Sequence, residues 1–440
     1  MEIINNIQNL AYGLLFFIIF TAIAVVILDF ILNYILIKIK EKNSHKVDFL
    51  QIRIPEDNEY EVKAAEHMFS SLSGIKRPFL KALIYGQYSI SFELVSKDNG
   101  IGFYVVVPQE ITDLVEKQIN GAYPTAEIDI VDPLEIWDRG KYTIVEELKL
   151  KSVNYYPIKG YEDMKGDALN VITSSLNKVS SNEVMAIQII TQPASDGWRN
   201  AARKYINDVK NRSNNPEKKV NIDTSFLESI EKKIAHQGFY TKVRVISISD
   251  DKVNANSNIQ HLINSFEQFN DANYNKFVKR WKLFFQNYKI VNNFIHRIIH
   301  VRDWYIPLMN IPIYNNCSIL NTVELATIYH LPNKDVKTPN IMWLQARRSS
   351  APLIVPPENM RPEDGIWLGE SKFRGVTRQI NIKNEDLVRH MYIIGQTGTG
   401  KSESMSYYAY ENIMRGEGVA FIDPHGKDLR NILKRIPKER

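Results

Sequence analysis

The chain has 440 residues, 44% of them apolar and 24% charged, with a formal net charge of +5. That balance supplies hydrophobic cores for about three domains and excludes an intrinsically disordered chain. The single cysteine, Cys317, excludes an internal disulfide framework and a CxxC metal pair, and so mild a positive charge does not by itself require an anionic partner.

From Ile3 to Leu28 no side chain is charged, and the run LAYGLLFFIIFTAIAVVIL (Leu10 to Leu28) is long enough as a helix to cross roughly 30 Å of hydrocarbon. The sequence therefore predicts a transmembrane anchor over residues 1–40. A cleavable signal peptide fits less well, because Glu2 and no Lys or Arg precedes the run, and apolar residues resume as far as Ile37. Lys38, Lys40 and Lys42 follow directly. By the positive-inside rule they predict a single pass through the cytoplasmic (inner) membrane, with the N-terminus outside and the bulk of the chain cytoplasmic. Asp29 and Asn33 are one helical turn apart and fall at the interfacial end of this stretch.

After a polar linker the pattern alternates. FLQIRIP reads as a strand, Glu59 to Ile75 as an amphipathic helix, and YSISFELVSKDNGIGFYVVVP as a hairpin turning at Asp98, Asn99 and Gly100. A helix over Gln109 to Ile119 and the strand TAEIDIV complete the order βαββαβ, a ferredoxin-like α+β domain over 48–135. A second α+β domain with a helical insertion is expected over 140–345. Its strands are YTIVEELKLKS, EVMAIQIITQ and YTKVRVISIS, with helices near Asp167 to Lys178 and Trp198 to Val209, and KNRSNNPEKKVN reads as an exposed loop.

Within Asn273 to Tyr305, aromatics mix with Lys, Arg and His. The mixture suits a single-stranded nucleic-acid surface. The helical spacing of Phe277, Trp281, Phe284, Phe285 and Tyr288 suits a buried core stripe better. His296 and His300 are four apart, but no cysteine and only a single acid, Asp303, lies near them in sequence, which argues against a metal pair. Residues 346–364 are proline-rich and read as a linker.

Residues 365–440 carry the clearest chemistry. GQTGTGKS, Gly395 to Ser402, fits the phosphate-loop pattern G-x-x-x-x-G-K-[ST] at every position. Glycines let such a turn wrap phosphate oxygens with backbone N–H groups aimed inward. The candidate nucleotide-binding residues are Gly395, Gln396, Thr397, Gly398, Thr399, Gly400, Lys401 and Ser402. Lys401 is expected on the β/γ-phosphates of ATP and Ser402 on Mg²⁺. HMYIIG before the loop reads as a buried parallel strand and ESMSYYAYENIMR after it as a helix. VAFI is read as a second buried strand with Asp423 at its carboxyl edge, which makes Asp423 and His425 the candidate catalytic residues.

These residues resemble membrane-anchored HerA/FtsK-type P-loop ATPases of the type IV secretion (conjugative DNA transfer) coupling-protein group. The resemblance rests on NTVELATIYHLPN, PPENMRPEDGIWLGES, RHMYIIGQTGTGKS and GEGVAFIDPHGKDL, and covers about the last 120 residues. It departs at Lys427, which separates Gly426 from Asp428 where similar proteins often read DPHGD. The resemblance implies an ATP hydrolase on a RecA-like core, a DNA cargo, a homo-oligomeric ring of the hexameric kind, and contacts with the membrane and with secretion-channel proteins. A Walker B acid, a water-positioning residue and an arginine finger are not found before Arg440, so the expectation is a chain truncated shortly after the phosphate loop and inactive alone. The expected fold class is accordingly α/β and α+β multidomain: an N-terminal transmembrane helix, two ferredoxin-like α+β units, and the start of a P-loop NTPase core. An ATPase for protein or pilus export and a membrane-tethered assembly module are the competing readings.

Overall fold

The computed structural model describes residues 2–43, 46–78, 81–82, 85–137, 139–177, 183–213, 224–271, 273–281, 286–299, 301, 304–306, 311–314, 317–345, 364–373, 376–396 and 398–440. The chain divides into two compact units, Met1–Arg347 and Arg348–Arg440.

Helix α1 covers Glu2–Asn43. Among the described residues, no helix is long and apolar enough to cross a membrane. The expected transmembrane anchor is corrected on this point, and with it the single-pass inner-membrane location. The side chains of Asp29 and Asn33 lie outside the described residues.

In the first unit, β1 (Val47–Arg53), β2 (Ile90–Lys97), β3 (Gly100–Pro108) and β4 (Glu127–Val131) pair in the order β4-β1-β3-β2. Helices α2 (Val62–Leu72) and α3 (Thr112–Ala122) complete the split βαβ arrangement. The β2–β3 hairpin closes through Asp98 and Asn99 at φ of 52° and 58°. Both are left-handed, as a twist-matched two-residue turn requires, and Asp and Asn tolerate that region.

A second array follows the same order. Strands β5 (Tyr142–Leu150), β6 (Val184–Pro193), β7 (Gly238–Ser249) and β8 (Phe277–Lys279) run β6-β7-β5-β8. Helices α4 (Leu169–Leu176), α5 (Gly197–Ser213), α6 (Thr224–Ala235) and α7 (Lys252–Ser265) connect them. The two arrays are not separate sandwiches. Strand β2 pairs antiparallel with β6, from Ile90↔Thr191 to Ser96↔Met185, so one sheet runs through both. After α8 (Gln286–Ile295) come the small hairpin β9 (Trp304–Ile306) and β10 (Ile311–Tyr314), then β11 (Ser318–Asn321), which joins the large sheet beside β7. That sheet therefore holds nine strands among the described residues.

One face of the sheet carries the main core. Phe92, Leu94, Val105, Ile187, Val243 and Val245 alternate inward and meet α2, α3, α4, α7 and α9 (Thr322–Ile328). Burying such side chains contributes roughly 1.5–3 kcal/mol each. The other face holds a smaller apolar cluster under Ile290 and Phe294 of α8. The expected aromatic stripe does not form there. Phe277 lies in a strand and is buried, Trp281 and Tyr288 are 75% and 82% exposed, and Phe284, Phe285 and His300 lie outside the described residues. Helical spacing across Phe277 and Trp281 has no meaning once a strand begins the segment.

The second face also carries a buried polar row. Register aligns Gln51, Tyr104, Glu93, Gln188, Arg244 and Glu147 across six strands. Glu147 accepts from Lys242 Nζ at 2.7 Å, Arg280 Nη1 at 2.7 Å and Arg244 Nε at 3.3 Å. Glu93 takes Arg297 Nε at 2.8 Å and Gln188 Nε2 at 3.0 Å, while Arg244 Nη1 reaches Gln188 Oε1 at 2.8 Å. Buried charges persist only when paired and hydrogen-bonded, and this row supplies both.

NTVELATIYHLPN is structural. Asn321 and Glu324 form a reciprocal capping box on α9, and Glu324 also meets buried Lys233 at 3.0 Å and accepts the N–H of Ile158 at 2.9 Å. His330, also buried, lies 2.8 Å from Asp167.

In the second unit, β12 (Gly365–Phe373) and β13 (Val376–Lys383) form an antiparallel hairpin, followed by α10 (Lys401–Met414) and α11 (Lys427–Arg435). No parallel strand occurs among its described residues. HMYIIG and VAFI, expected as buried strands, adopt no strand, and Tyr392, Ile394 and Ile422 are 88%, 79% and 89% exposed. A parallel strand needs ladder partners on its edges and cover on both faces, and neither is present among the described residues of this unit. The expected class is thus corrected to a mixed α/β chain built on antiparallel sheets.

Candidate nucleotide-binding site

The turn that leads into α10 gathers Gly395, Gln396, Gly398, Thr399, Gly400, Lys401 and Ser402; Thr397 lies outside the described residues. Two glycines take conformations that a side chain would strain. Gly398 and Gly400 sit at φ of 88° and 89°, and Gly400 is the residue that caps α10. Gly395 is needed for space: a Cβ there would meet Thr399 Oγ1 at 2.6 Å.

Short contacts close the turn. Thr399 donates to the carbonyl of Gln396 through its N–H at 3.3 Å and its hydroxyl at 2.7 Å. Lys401 Nζ folds back to donate to the carbonyls of Gly395 and Gln396, the latter at 2.9 Å. The first helical bond of α10 runs from Ser404 N to Gly400 O at 2.9 Å. The N–H groups of Lys401, Ser402 and Glu403 therefore face the turn without intrahelical acceptors, at the positive end of the helix dipole. Three backbone N–H groups at a helix start, an ammonium beside them and a hydroxyl at the second helical position fit a nucleotide phosphate with its metal. Ser402 is the residue that would hold Mg²⁺, whose role when bound is to offset charge on the phosphates.

The structure gives Asp423 a definite task. Its carboxylate accepts the N–H groups of His425 at 3.0 Å, Asp428 at 2.8 Å and Leu429 at 3.2 Å. The acid therefore caps α11, with Gly426 left-handed at φ 65° between them. Burial acts to raise its pKa, and the bonds from these backbone N–H groups overcome it, so the carboxyl titrates below the ordinary range. His425 meets Asp423 through its backbone. Glu403 in the first turn of α10 meets Arg435 of α11 at 3.4 Å, an exposed pair of small energetic weight. The spacing in DPHGKD carries this capping signal, since an acid shortly before exposed helical amides is well placed to accept from them. Asp423→Ala should speed amide hydrogen exchange at Asp428 and Leu429 while leaving β12 and β13 unchanged. Equal exchange in variant and parent would remove the capping role.

Comparison with known proteins treats the two units differently. Residues 366–432, which contain the whole phosphate loop, match the model described as "Helicase HerA, central domain". This supports a relation to HerA/FtsK-like P-loop ATPases. No curated protein matches the chain. Among solved structures, that of a novel heme-binding protein from Thermus thermophilus, described as a structure-based functional identification, aligns at 11% identity over 57% of this chain and 94% of that one. Its TM-score is 0.14, too low to carry an argument about fold or ligand. A second family model matches residues 37–344, well over half of the chain and all of the large sheet. The chain belongs to the family described as "Domain of unknown function (DUF8128)".

Proposed function

We propose that the chain binds ATP with Mg²⁺ through Gly395–Ser402 and serves a DNA-moving ATPase of the HerA/FtsK type, acting as a homo-oligomeric ring. The observation that carries this reading is the turn itself: left-handed Gly398 and Gly400, free N–H groups at the start of α10, and Lys401 beside them, inside the segment that matches the HerA central domain. Coupling to a type IV secretion-like channel is the finer part of the same proposal and rests on sequence resemblance alone. Binding of a fluorescent ATP analogue in the presence of Mg²⁺ tests the nucleotide step. ATP and ADP should displace it and AMP should not, because Lys401 is assigned to phosphates beyond the first. Displacement by AMP as strong as by ATP would count against the assignment. DNA as cargo predicts that double-stranded DNA changes the affinity for the ATP analogue. Indifference to DNA, with a response to an unfolded polypeptide, would favour protein export.

A further inference from the structure

A cleft of about 530 Å³ opens at one end of the large sheet, far in sequence from the phosphate loop. Its floor comes from the starts of β1 and β2 and the ends of β3 and β6, with Arg77 and residues 85–88 on one side and residues 296–299 on the other. One wall is preformed. Arg77 N donates to Gln87 Oε1 at 2.7 Å, Gln87 Nε2 donates back to Arg77 O at 3.0 Å, and Arg77 Nη1 donates to Gly86 O at 3.0 Å. The guanidinium lies 4.2 Å from the Tyr88 ring centre, a cation–π contact that fixes its plane.

Charge is unbalanced in this cleft. Arg297 is matched by Glu93 at 2.8 Å, and Arg77 by Glu110 at 3.4 Å. The nearby Asp48 is held by Gln109 Nε2 at 3.0 Å and by Thr112 Oγ1 at 2.7 Å. Lys46 and Lys81 also line the cleft with no carboxylate within ion-pair distance among the described residues. Glu110, which lines it too and meets Arg77, is near enough to Lys81 to feel its charge, so four cations face one carboxylate of the lining and Glu93 behind Arg297. Gln192 lines it too, largely buried, with no partner for its side-chain amide among the described residues. Two ammonium groups, an oriented guanidinium and a spare amide converge on one concavity, and a concavity with excess positive charge concentrates anions.

We infer that this cleft binds a phosphate-bearing ligand, with Lys46 and Lys81 as its ion partners and Arg77 and Gln192 as polar walls. The chemistry is shared by a soluble phosphorylated molecule and by the backbone of a single nucleic-acid strand. The inference rests on the cleft and not on the nucleotide reading above.

The test uses the full chain carrying Lys401→Ala, so that the phosphate loop is weakened in every sample. Binding of pyrophosphate is followed by calorimetry and binding of a labelled 12-nucleotide single strand by anisotropy, each with and without Lys46→Ser/Lys81→Ser. Both lysines are exposed, so the double variant should keep the parent's thermal unfolding. Removing two charge-assisted contacts should weaken whichever probe binds by at least about tenfold. For the single strand it should also lower the slope of log affinity against log salt by about 1.4. Loss for pyrophosphate alone supports a soluble ligand, and loss for the strand supports backbone phosphates. Binding of either probe that is indifferent to the double substitution, or no binding of either, overturns the inference.

Discussion

Glu147→Gln should lower the unfolding free energy of the large-sheet unit by about 3–5 kcal/mol, measured by denaturant titration of the whole chain. The substitution keeps the shape and removes the charge. Glu147 is 2% exposed and sits among Lys242, Arg244 and Arg280, so the variant would leave three cations facing one another with no carboxylate between them. Against the roughly 5–15 kcal/mol that holds a typical domain together, such a loss is large. The same group sets an acid limit. Burial pushes its pKa up, and the three cations, Lys242 first, overcome burial and bring it down to about 2. A carboxyl depressed in the folded state stabilises fully above its unfolded pKa, near 4.5, and that contribution is lost as pH falls through the folded value. Stability should therefore decline between about pH 4.5 and 2 by roughly 3 kcal/mol from this group. Glu147→Gln should flatten that part of the curve. A parent whose stability is level across this window would rule out the cluster as its source.

Such a cluster is not legible in the sequence, because its members come from strands that meet only through long-range pairing. Glu93 and Gln188 are separated by 95 residues, Gln188 and Arg244 by 56, and nothing local to any of them announces the row. The join of β2 to β6 is hidden for the same reason. Alternation marks each strand and says nothing of its neighbour. Local signals fare better. Asp98–Asn99–Gly100 carries its own turn chemistry, and the glycines at 395, 398 and 400 specify a turn without reference to the rest of the chain. Helix α7 has a legible cap, Asp251, which accepts from Val253 and Asn254 at 3.2 and 3.3 Å, yet its polar residues weaken the apolar period that would announce a helix. MYIIG and VAFI mislead because a short apolar run indicates burial only when partners exist to bury it. The basic cleft is equally hidden, since Lys46, Arg77, Lys81 and Arg297 are neighbours through the sheet's edge and not through spacing.

Lys401→Ala should weaken ATP binding about 10-fold to 150-fold, the range that corresponds to losing one charge-assisted contact of about 1.5–3 kcal/mol. In the structure the ammonium rests on the carbonyls of Gly395 and Gln396. Those acceptors are neutral, whereas a phosphate is charged, so the lysine gains by exchanging them. The exchange needs little movement, since the side chain already folds over the turn. Lys401→Arg should rescue only part of the affinity: a planar guanidinium does not replace a compact ammonium in so tight a turn, where Lys401 Cγ lies within 3.3 Å of a Cβ added at Gly395. Folding should be untouched, because the turn is exposed and α10 is capped by Gly400 rather than by the lysine. The thermal unfolding of Lys401→Ala without nucleotide should then match the parent. With saturating ATP and Mg²⁺ the parent alone should gain stability, by about 2.7 kcal/mol at roughly a hundred times its dissociation constant. If the variant gains as much as the parent at equal ATP, Lys401 does not hold phosphate.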